Sequence, residues 1–364
     1  MYDCVIVGGG LIGLLSAREL ALAGRAVAVL ERGEIGRESS WAGGGILSPL
    51  YPWRYPDPVN VLARWSQAHY PRLVEQLMRS SGIDPEYEPS GMLVLDPEEP
   101  EAWPWAQRFG VRLERLDPGR VLALQPGLAW EGGGLWLPEV AQVRNPRLLK
   151  ALRRSLHAAG VELREHCPVT AIRVRGGRVC GVESGRGPVD AEQVVVAGGA
   201  WSGRLLEAVG LPLPVEPVRG QMLLIRAEPG VLRRILLHEE RYLIPRRDGR
   251  ILVGSTMERA GFDKSTTGEA GEMLHRVAVG LLPALAAFPV ERQWAGLRPG
   301  SPRGIPWIGP HPGVEGLFVN TGQFRNGVVT GPASARLLAD LMLDQPPEID
   351  PAPYRPGVPQ GSGG

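Results

Sequence analysis

The amino-acid sequence predicts an α/β fold, in which a Rossmann-like domain carries an inserted, mostly antiparallel β-sheet domain. A glycine-rich turn near residue 8 lies between an apolar run and a helical pattern, the order strand, turn, helix. The chain has 364 residues, more than a single hydrophobic core usually supports. Short apolar runs separated by turn residues fill 87–138 and 212–291, which indicates antiparallel strands.

The first 31 residues contain the most informative motif. An apolar run meets Gly8-Gly9-Gly10-Leu11-Ile12-Gly13, and a second apolar run ends at Glu31. Gly8 permits a tight turn, Gly10 lets the backbone approach a pyrophosphate, and Gly13 allows close packing of helix on strand. The backbone N–H groups of Leu11 and Ile12, at the start of the helix, would be free to face phosphates. The Glu31 carboxylate would accept hydrogen bonds from ribose hydroxyls, so we expect an adenine dinucleotide.

Composition excludes several classes of partner. The net charge is +1, so there is no electrostatic case for nucleic acid or an anionic membrane surface. No apolar run reaches the roughly 20 residues of a membrane span. Three scattered cysteines favour free thiols in a reducing compartment, and we expect a soluble, cytoplasmic protein. The histidines never pair with Cys or Asp at ligand spacing, so we predict no metal site.

Helical patterns predict helices over 11–23, 59–79, 145–159 and 333–343, with Asn145 as the cap of the third. The segment 37–45 is too rich in glycine for a helix core, and we expect a loop that contacts a ligand. Lys264 lies in a polar loop and is interpreted as a solvated side chain.

The remaining segments predict strands. A meander over 161–195 turns at Gly176-Gly177, and a hairpin turns at Asp248-Gly249. A buried strand ends on glycines at Gly198, which allows close approach of a ligand, and Ser202 is positioned to cap a following helix. The tail after residue 345 is rich in Pro, Gly and Ser and is expected to be extended.

Glycine-rich segments recur at Gly8, Gly43, Gly198 and Gly327, which suggests an extended flavin dinucleotide. Together with later motifs they resemble the D-amino-acid oxidase family of FAD-dependent enzymes, and within it the glycine oxidases of the thiamine-biosynthesis type. The motifs that carry the resemblance are Ser40-Trp41-Ala42-Gly43-Gly44-Gly45-Ile46-Leu47-Ser48-Pro49, Tyr242-Leu243-Ile244-Pro245-Arg246-Arg247-Asp248-Gly249, Gly296-Leu297-Arg298-Pro299-Gly300 and Gln323-Phe324-Arg325-Asn326-Gly327.

The resemblance implies an FAD-binding domain formed by 1–83, 140–211 and 292–345, a substrate domain formed by 84–139 and 212–291, and a tail over 346–364. It also implies FAD contacts at Leu11, Ile12, Glu31, Arg32, Glu38, Ser39, Gly43, Gly44, Gly45, Val169, Gln323, Phe324, Arg325, Asn326, Gly327, Val328 and Val329. Relatives that tether FAD covalently use a Cys late in the chain. This chain has none after Cys180, so we expect noncovalent FAD.

The same resemblance assigns substrate-binding roles. Arg298 would bind the amino-acid carboxylate as a bidentate fork, and Tyr242 would donate its hydroxyl to the same group. Arg325 would contact the substrate or compensate negative charge on the flavin. Met257 would line the cavity wall or serve plain packing, and His238 lies near this proposed site.

The implied function is oxidative deamination of glycine, sarcosine and small D-amino acids by FAD and O2, with release of H2O2 and an imine that supplies thiamine thiazole synthesis. A homo-oligomer, by resemblance a tetramer, is expected. Three alternatives stay open: a D-amino-acid dehydrogenase that passes electrons to a quinone, an oxidase of a modified tRNA, and a flavoprotein without turnover. The lack of surplus basic charge argues against the tRNA alternative.

Overall fold

The computed structural model describes residues 1–96 and 98–357 and contains two eight-stranded sheets. The strands are β1 (Tyr2–Val7), β2 (Val27–Leu30), β3 (Met92–Val94), β4 (Glu114–Leu116), β5 (Gly134–Leu137), β6 (Glu162–Arg164), β7 (Val169–Arg175), β8 (Arg178–Ser184), β9 (Gly187–Val196), β10 (Glu216–Arg226), β11 (Ile235–His238), β12 (Arg241–Pro245), β13 (Arg250–Gly254), β14 (Val290–Gly300), β15 (Trp307–Pro310) and β16 (Leu317–Thr321). The α-helices are α1 (Leu11–Leu22), α2 (Ser39–Ala42), α3 (Asp57–Ser81), α4 (Ala102–Phe109), α5 (Pro118–Leu124), α6 (Asn145–Ala158), α7 (Ser202–Glu207), α8 (Gly268–Leu281) and α9 (Gly327–Met342).

The first sheet has a parallel centre. Its order is β15-β16-β9-β1-β2-β6, and β1 pairs in parallel with both β2 and β9. Successive side chains of a strand point to opposite faces. Cys4 and Ile6 therefore join one core, against α1, α3, α6 and α9, while Val5 and Val7 join the other, against β7, β8 and α7. Both faces are covered, which is why β1, β2 and the end of β9 read as unbroken apolar runs.

The second sheet has the order β14-β10-β13-β12-β11-β3-β5-β4 and is antiparallel except where β11 runs parallel to β3. One face packs on α8, with Leu243 and Val253 in the same core as Leu274. The other face carries Tyr242 and Met222 and looks toward the first sheet's glycine turns, since both residues line one cavity with Gly8. The predicted α/β architecture with an antiparallel sheet is confirmed.

The structure confirms the predicted glycines that end α1 and form the turns of two β-hairpins. Helix α1 is followed by Gly24 at φ +80°, the left-handed conformation that favours glycine. The β7–β8 turn uses Gly176 and Gly177, both at positive φ, and the β12–β13 turn uses Gly249 at φ +86°. These turns could be predicted because the local sequence alone determines them.

The start of the last helix was predicted wrongly, at residue 333 instead of Gly327. Pro332 lies inside α9 and cannot donate a backbone hydrogen bond to the carbonyl of Val328. The hydroxyl of Tyr70 on α3 donates to that carbonyl instead, at 2.6 Å. A tertiary contact thus satisfies the group that proline leaves free, and the helix continues.

Two predicted caps were also wrong. The side chain of Asn145 does not cap α6, because its Nδ2 donates 2.8 Å to the carbonyl of Ser40. Ser202 begins α7 without a side-chain cap, and its buried Oγ has no hydrogen-bond partner among the described residues. The first part of the tail packs on the fold, since Tyr354 is buried and donates to the carbonyl of Pro58 at 2.8 Å. The remainder of the predicted tail, 358–364, lies outside the described residues.

Helices α4, α5 and α8 fall inside segments predicted to be strands or antiparallel material. Sheet membership also differs from the predicted domain division at one strand. The division assigned 292–345 to the FAD domain, whereas β14 pairs with β10 in the second sheet from Val290 to Gly300. Within the described residues, no helix combines the length and apolar character needed to cross a lipid bilayer.

Candidate functional site

A cavity of about 440 Å³ lies between the glycine turns of the first sheet and one face of the second. Its walls contain most of the residues predicted to bind a dinucleotide and three of the four predicted to bind the substrate, Tyr242, Arg298 and Arg325. The predicted residues that line it are Gly8, Gly10, Leu11, Ile12, Glu31, Arg32, Glu38, Ser39, Gly43, Gly44, Gly45, Val169, Gly198, Tyr242, Arg298, Gln323, Phe324, Arg325, Asn326, Gly327 and Val328.

The turn between β1 and α1 requires its glycines. Gly8 has φ +113°, and a Cβ there would lie 2.4 Å from the carbonyl oxygen of Ala197. A Cβ on Gly13 would lie 2.0 Å from the carbonyl oxygen of Gly8, so α1 packs on β1 only without a side chain at that position. These contacts confirm the structural reasons predicted for Gly8 and Gly13.

Glu31 directly follows β2, at the carboxyl end of the strand as predicted, and lines the cavity. Its carboxylate accepts hydrogen bonds from the backbone N–H groups of Gly9, at 2.8 Å, and Gly33, at 2.9 Å. These bonds fix the carboxylate at the turn. The N–H of Leu11 was expected to be free for a phosphate, but it donates to Ser40 Oγ at 2.8 Å because α2 brings that hydroxyl against the helix start.

The segment predicted to be a loop over 37–45 contains the one-turn helix α2, so that prediction was wrong for Ser39–Ala42. Neighbouring elements hold the segment in place through its carbonyl groups. Arg246 Nη2 donates to the carbonyl of Gly44 at 2.8 Å, and Trp294 Nε1 donates to that of Ala42 at 3.1 Å. Burial lowers the pKa of Arg246 to about 10, and its other bonds go to the neutral oxygens of Gln142 and Val143.

An ion pair between Glu38 and Lys264 connects the start of α2 with the loop before α8. Lys264 Nζ lies 3.1 Å from both carboxylate oxygens of Glu38, and the lysine side chain is 47% exposed, which agrees with the predicted solvated side chain. Glu38 also accepts a bond from Arg32 at 2.9 Å. The Arg32 guanidinium lies 3.4 Å from the ring centre of Trp201, which packs against Phe262 at 5.3 Å. Of these residues, Arg32, Glu38 and Trp201 line the cavity.

The segment before and within the start of α9 forms another wall. Gln323 Nε2 donates to Asn320 Oδ1 at 2.7 Å, which orients both buried amides. Asn326 is buried, and its Nδ2 has no hydrogen-bond partner among the described residues. Val329 faces the core of the first sheet and is absent from the cavity lining, which corrects its predicted FAD contact.

Arg298 on β14 provides a guanidinium for a carboxylate. Its Nη1 donates to the carbonyl of Thr256 at 3.1 Å and its Nη2 to Ser255 Oγ at 2.7 Å. Burial lowers the pKa of Arg298, and the cation of Arg325 lowers it further. Space for the guanidinium comes from Gly220 on β10, where a Cβ would lie 2.2 Å from Arg298 Nη1.

Tyr242 on β12 lies beside Arg298. It pairs across the strands with Gly254, where a Cβ would lie 2.6 Å from the tyrosine ring. The hydroxyl of Tyr242 contacts Met222 Sδ at 3.4 Å, a weak acceptor. The phenol therefore keeps its capacity to donate to a carboxylate bound at Arg298.

Arg325 also reaches the cavity, and its Nη1 lies 3.2 Å from Glu240 Oε2. Met257 was predicted to line the wall, but its side chain is 52% exposed and lies outside the cavity lining, so that prediction was wrong. His238 is turned to Asp96, with Nδ1 3.0 Å from Oδ1, and does not line the cavity.

Sequence reasoning missed Ser255, Thr256 and Met222, the side chains and carbonyl that position Arg298 and Tyr242. It also missed Gly220 and Gly254, whose signal is a glycine inside an apolar strand, typical of close approach by another group. Within residues 1–96 and 98–357, no group of three His, Cys, Asp or Glu side chains is arranged to hold a metal ion.

The lining fits the FAD that the sequence resemblance implies. Backbone without side chains surrounds much of the cavity, at Gly8, Gly10, Gly43, Gly44, Gly45, Gly198, Gly199 and Gly327. Glu31 at the end of β2 suits ribose hydroxyls, and the unpaired amide of Asn326 supplies a donor for the cofactor. Free thiols are present at Cys4 and Cys167, both buried, and at Cys180.

Comparison with known proteins agrees with this geometry. The family described as FAD dependent oxidoreductase matches residues 3–341. The chain is 52% identical to the glycine oxidase of Pseudomonas aeruginosa over 97% of this chain and 98% of that protein. It is 36% identical to the bifunctional protein ThiO/ThiG of Synechocystis over 94% of this chain and 52% of that protein.

A solved structure shows the same fold. The glycine oxidase of Geobacillus kaustophilus superposes with a TM-score of 0.94 at 33% identity and covers 99% of both chains. The family match, the close relatives and the cavity agree on FAD as the cofactor. This chain belongs to the FAD-dependent oxidoreductase family.

Proposed function

We propose that this protein is an FAD-dependent oxidase of glycine and other small amino acids, including sarcosine and small D-amino acids. The observation that carries the proposal is the buried guanidinium of Arg298, whose hydrogen bonds go to neutral oxygens of Ser255 and Thr256. Among the described residues, no carboxylate lies within ion-pair distance of Arg298. A buried cation without a protein counter-ion suits an anionic ligand.

The chain's residues would position the substrate. Arg298 binds the carboxylate through its guanidinium fork, and Tyr242 donates its hydroxyl to the same group. With the carboxylate fixed at two points, the α-carbon and its C–H bond are held toward the glycine-lined part of the cavity. FAD, when bound, supplies the acceptor for the hydride of that bond. Orientation is therefore the main catalytic contribution of this chain.

Burial supports a role in excluding water from the reaction. Tyr242 and Met222 are both nearly inaccessible to solvent. A dry site strengthens the interaction between Arg298 and the carboxylate, because the low dielectric leaves the charges unscreened. The names of the relatives support glycine as the substrate, and the ThiO/ThiG protein supports a role in thiamine biosynthesis.

An oxygen-electrode screen tests the proposal. Purified holoprotein is given glycine, sarcosine, D-alanine and D-proline, and O2 consumption and H2O2 formation are recorded. We expect O2 uptake with glycine and an equal amount of H2O2. Reduction of the bound FAD by glycine without O2 uptake, restored by an added quinone, would instead identify the dehydrogenase alternative. No FAD bleaching with any of the four substrates would overturn amine oxidation altogether.

We also infer, from the resemblance, a homo-oligomer of four subunits that acts in the cytoplasm. Light scattering of the purified holoprotein measures the assembly, and a mass close to one chain of 39.3 kDa would contradict it.

A further inference from the structure

The hairpin turn between β11 and β12 has an unfavourable sequence for its shape. His238 pairs directly with Arg241, so the turn consists of Glu239 and Glu240 alone. Their φ angles are +44° and +63°. Two-residue turns of this kind favour Asn and Gly, because other side chains clash with the backbone at positive φ. A long side chain kept in such a conformation suggests a function beyond turning the chain.

The carboxylate of Glu240 contacts a cavity residue. Glu240 Oε2 lies 3.2 Å from Nη1 of Arg325, whose side chain is 13% exposed and lines the cavity. Glu240 itself is 43% exposed and is not part of the lining. It therefore contacts Arg325 from the solvent side and joins the second sheet to the segment before α9.

Neighbouring contacts hold the turn in place. Asp96 accepts hydrogen bonds from the backbone N–H of Glu239 at 3.2 Å and from Tyr51, and it lies 3.0 Å from His238 Nδ1. The turn residues cannot rotate freely with these bonds formed. These bonds hold the backbone from which the Glu240 side chain reaches Arg325.

The two guanidinium groups of the cavity are consequently different. Arg325 has a carboxylate partner in Glu240, whereas the hydrogen bonds of Arg298 go to neutral oxygens. Counting these three charges alone, the substrate end carries one uncompensated positive charge. That charge matches one carboxylate of a ligand, and a second carboxylate would meet an already neutralised Arg325 beside the negative Glu240.

We propose that Glu240 is a specificity-determining residue that restricts the site to monocarboxylates and disfavours dicarboxylates. The proposal rests on the proposed function, in which Arg298 binds the substrate carboxylate. Glu240 acts through Arg325 and positions it, so removal of its charge creates a second guanidinium free for a carboxylate. The same removal leaves binding of a single carboxylate at Arg298 nearly unchanged.

The test uses two ligands of the same shape, malonate with two carboxylates and malonamate with one carboxylate and one amide. Their dissociation constants for the holoenzyme are measured from the change in the absorbance of bound FAD, which needs no turnover. Glu240→Gln is compared with the wild type and with Glu239→Gln. Glu239 is a matched control because it carries the same charge in the same turn and is 80% exposed.

We expect the wild type to prefer malonamate. Glu240→Gln should lower the dissociation constant of malonate about tenfold relative to that of malonamate, since a repulsive neighbour is lost and a free cation is gained. Glu239→Gln should leave the ratio of the two constants within about twofold. An equal ratio in Glu240→Gln and Glu239→Gln would overturn the proposal.

A second variant separates specificity from folding. Glu240→Gly removes the carboxylate and suits the positive φ of the turn, so its melting temperature should equal or exceed that of the wild type. The same shift toward malonate in a protein of undiminished stability supports the proposal, and an unshifted ratio contradicts it.

Oxidation of glycine by the wild type is recorded in parallel. Its absence would count against the proposed function, whereas glycine oxidation with an unshifted ratio would count against Glu240 alone.

Discussion

The two ends of the cavity are built on different principles. At the dinucleotide end, Gly8 and Gly10 line the cavity between β1 and α1 without side chains, and Gly13 lets α1 pack on β1. At the substrate end, Arg298 and Tyr242 come from separate strands of the second sheet and depend on bonds to neighbouring segments. A cofactor site made of local backbone can be recognised as a sequence motif, while the proposed substrate site, made of side chains distant in sequence, depends on the tertiary structure.

The largest effect is expected from Gly13→Ala at the dinucleotide end. A Cβ at this position would lie 2.0 Å from the carbonyl of Gly8, a backbone atom that cannot move aside. We expect the free energy of unfolding to fall by about 3 kcal/mol and flavin to be lost on purification. The ratio of flavin absorbance to protein absorbance measures the flavin content of the purified variant. Gly268→Ala is the control, because a Cβ there has nothing within 4 Å. Normal flavin content in Gly13→Ala would show that the dinucleotide end does not depend on the absence of a side chain at this position.

Arg298→Ala tests the substrate end. Loss of the guanidinium should lower kcat/KM for glycine about 10³-fold, mainly through a higher KM, while bound FAD and the melting temperature stay close to the wild type. Steady-state O2 uptake and the flavin spectrum provide the two measurements. Arg276→Ala, at a position of α8 where the side chain is 70% exposed, serves as the control. An unchanged KM would exclude Arg298 from carboxylate binding, and loss of FAD would show that the two ends are not independent.

The smallest effect is expected from the loss of the ion pair between Lys264 and Glu38. Lys264→Met removes the ion pair with Glu38, which is partly exposed and contributes up to about 1 kcal/mol. We expect FAD to dissociate about threefold faster at low salt, with the difference reduced at high salt because exposed charges are screened. Stopped-flow measurement of FAD release detects this. Lys150→Met alters the other lysine of the chain, on α6, and should leave the rate unchanged. An equal rate in both variants would show that the ion pair has no part in cofactor retention.

The difference between the two ends also explains which predictions succeeded. The α/β fold, the FAD cofactor and the family were predictable from sequence and are confirmed. Short-range requirements contribute to these features, since Gly13 packs against the carbonyl of Gly8 and the hairpin glycine Gly249 has a positive φ. Arg298 and Tyr242 were found through resemblance to family motifs, and the structure brings them together on one cavity wall.

By itself, the sequence determined the order of strand, glycine turn and helix, because periodicity and turn chemistry act over a few residues. Only the tertiary structure decided that Pro332 lies within a helix, that Lys264 is paired with Glu38, that Met257 lies outside the cavity and that Glu240 contacts Arg325. Each of these facts depends on a partner more than 80 residues away or on solvent exposure. Such contacts are set by the packing of whole elements, which no local pattern encodes.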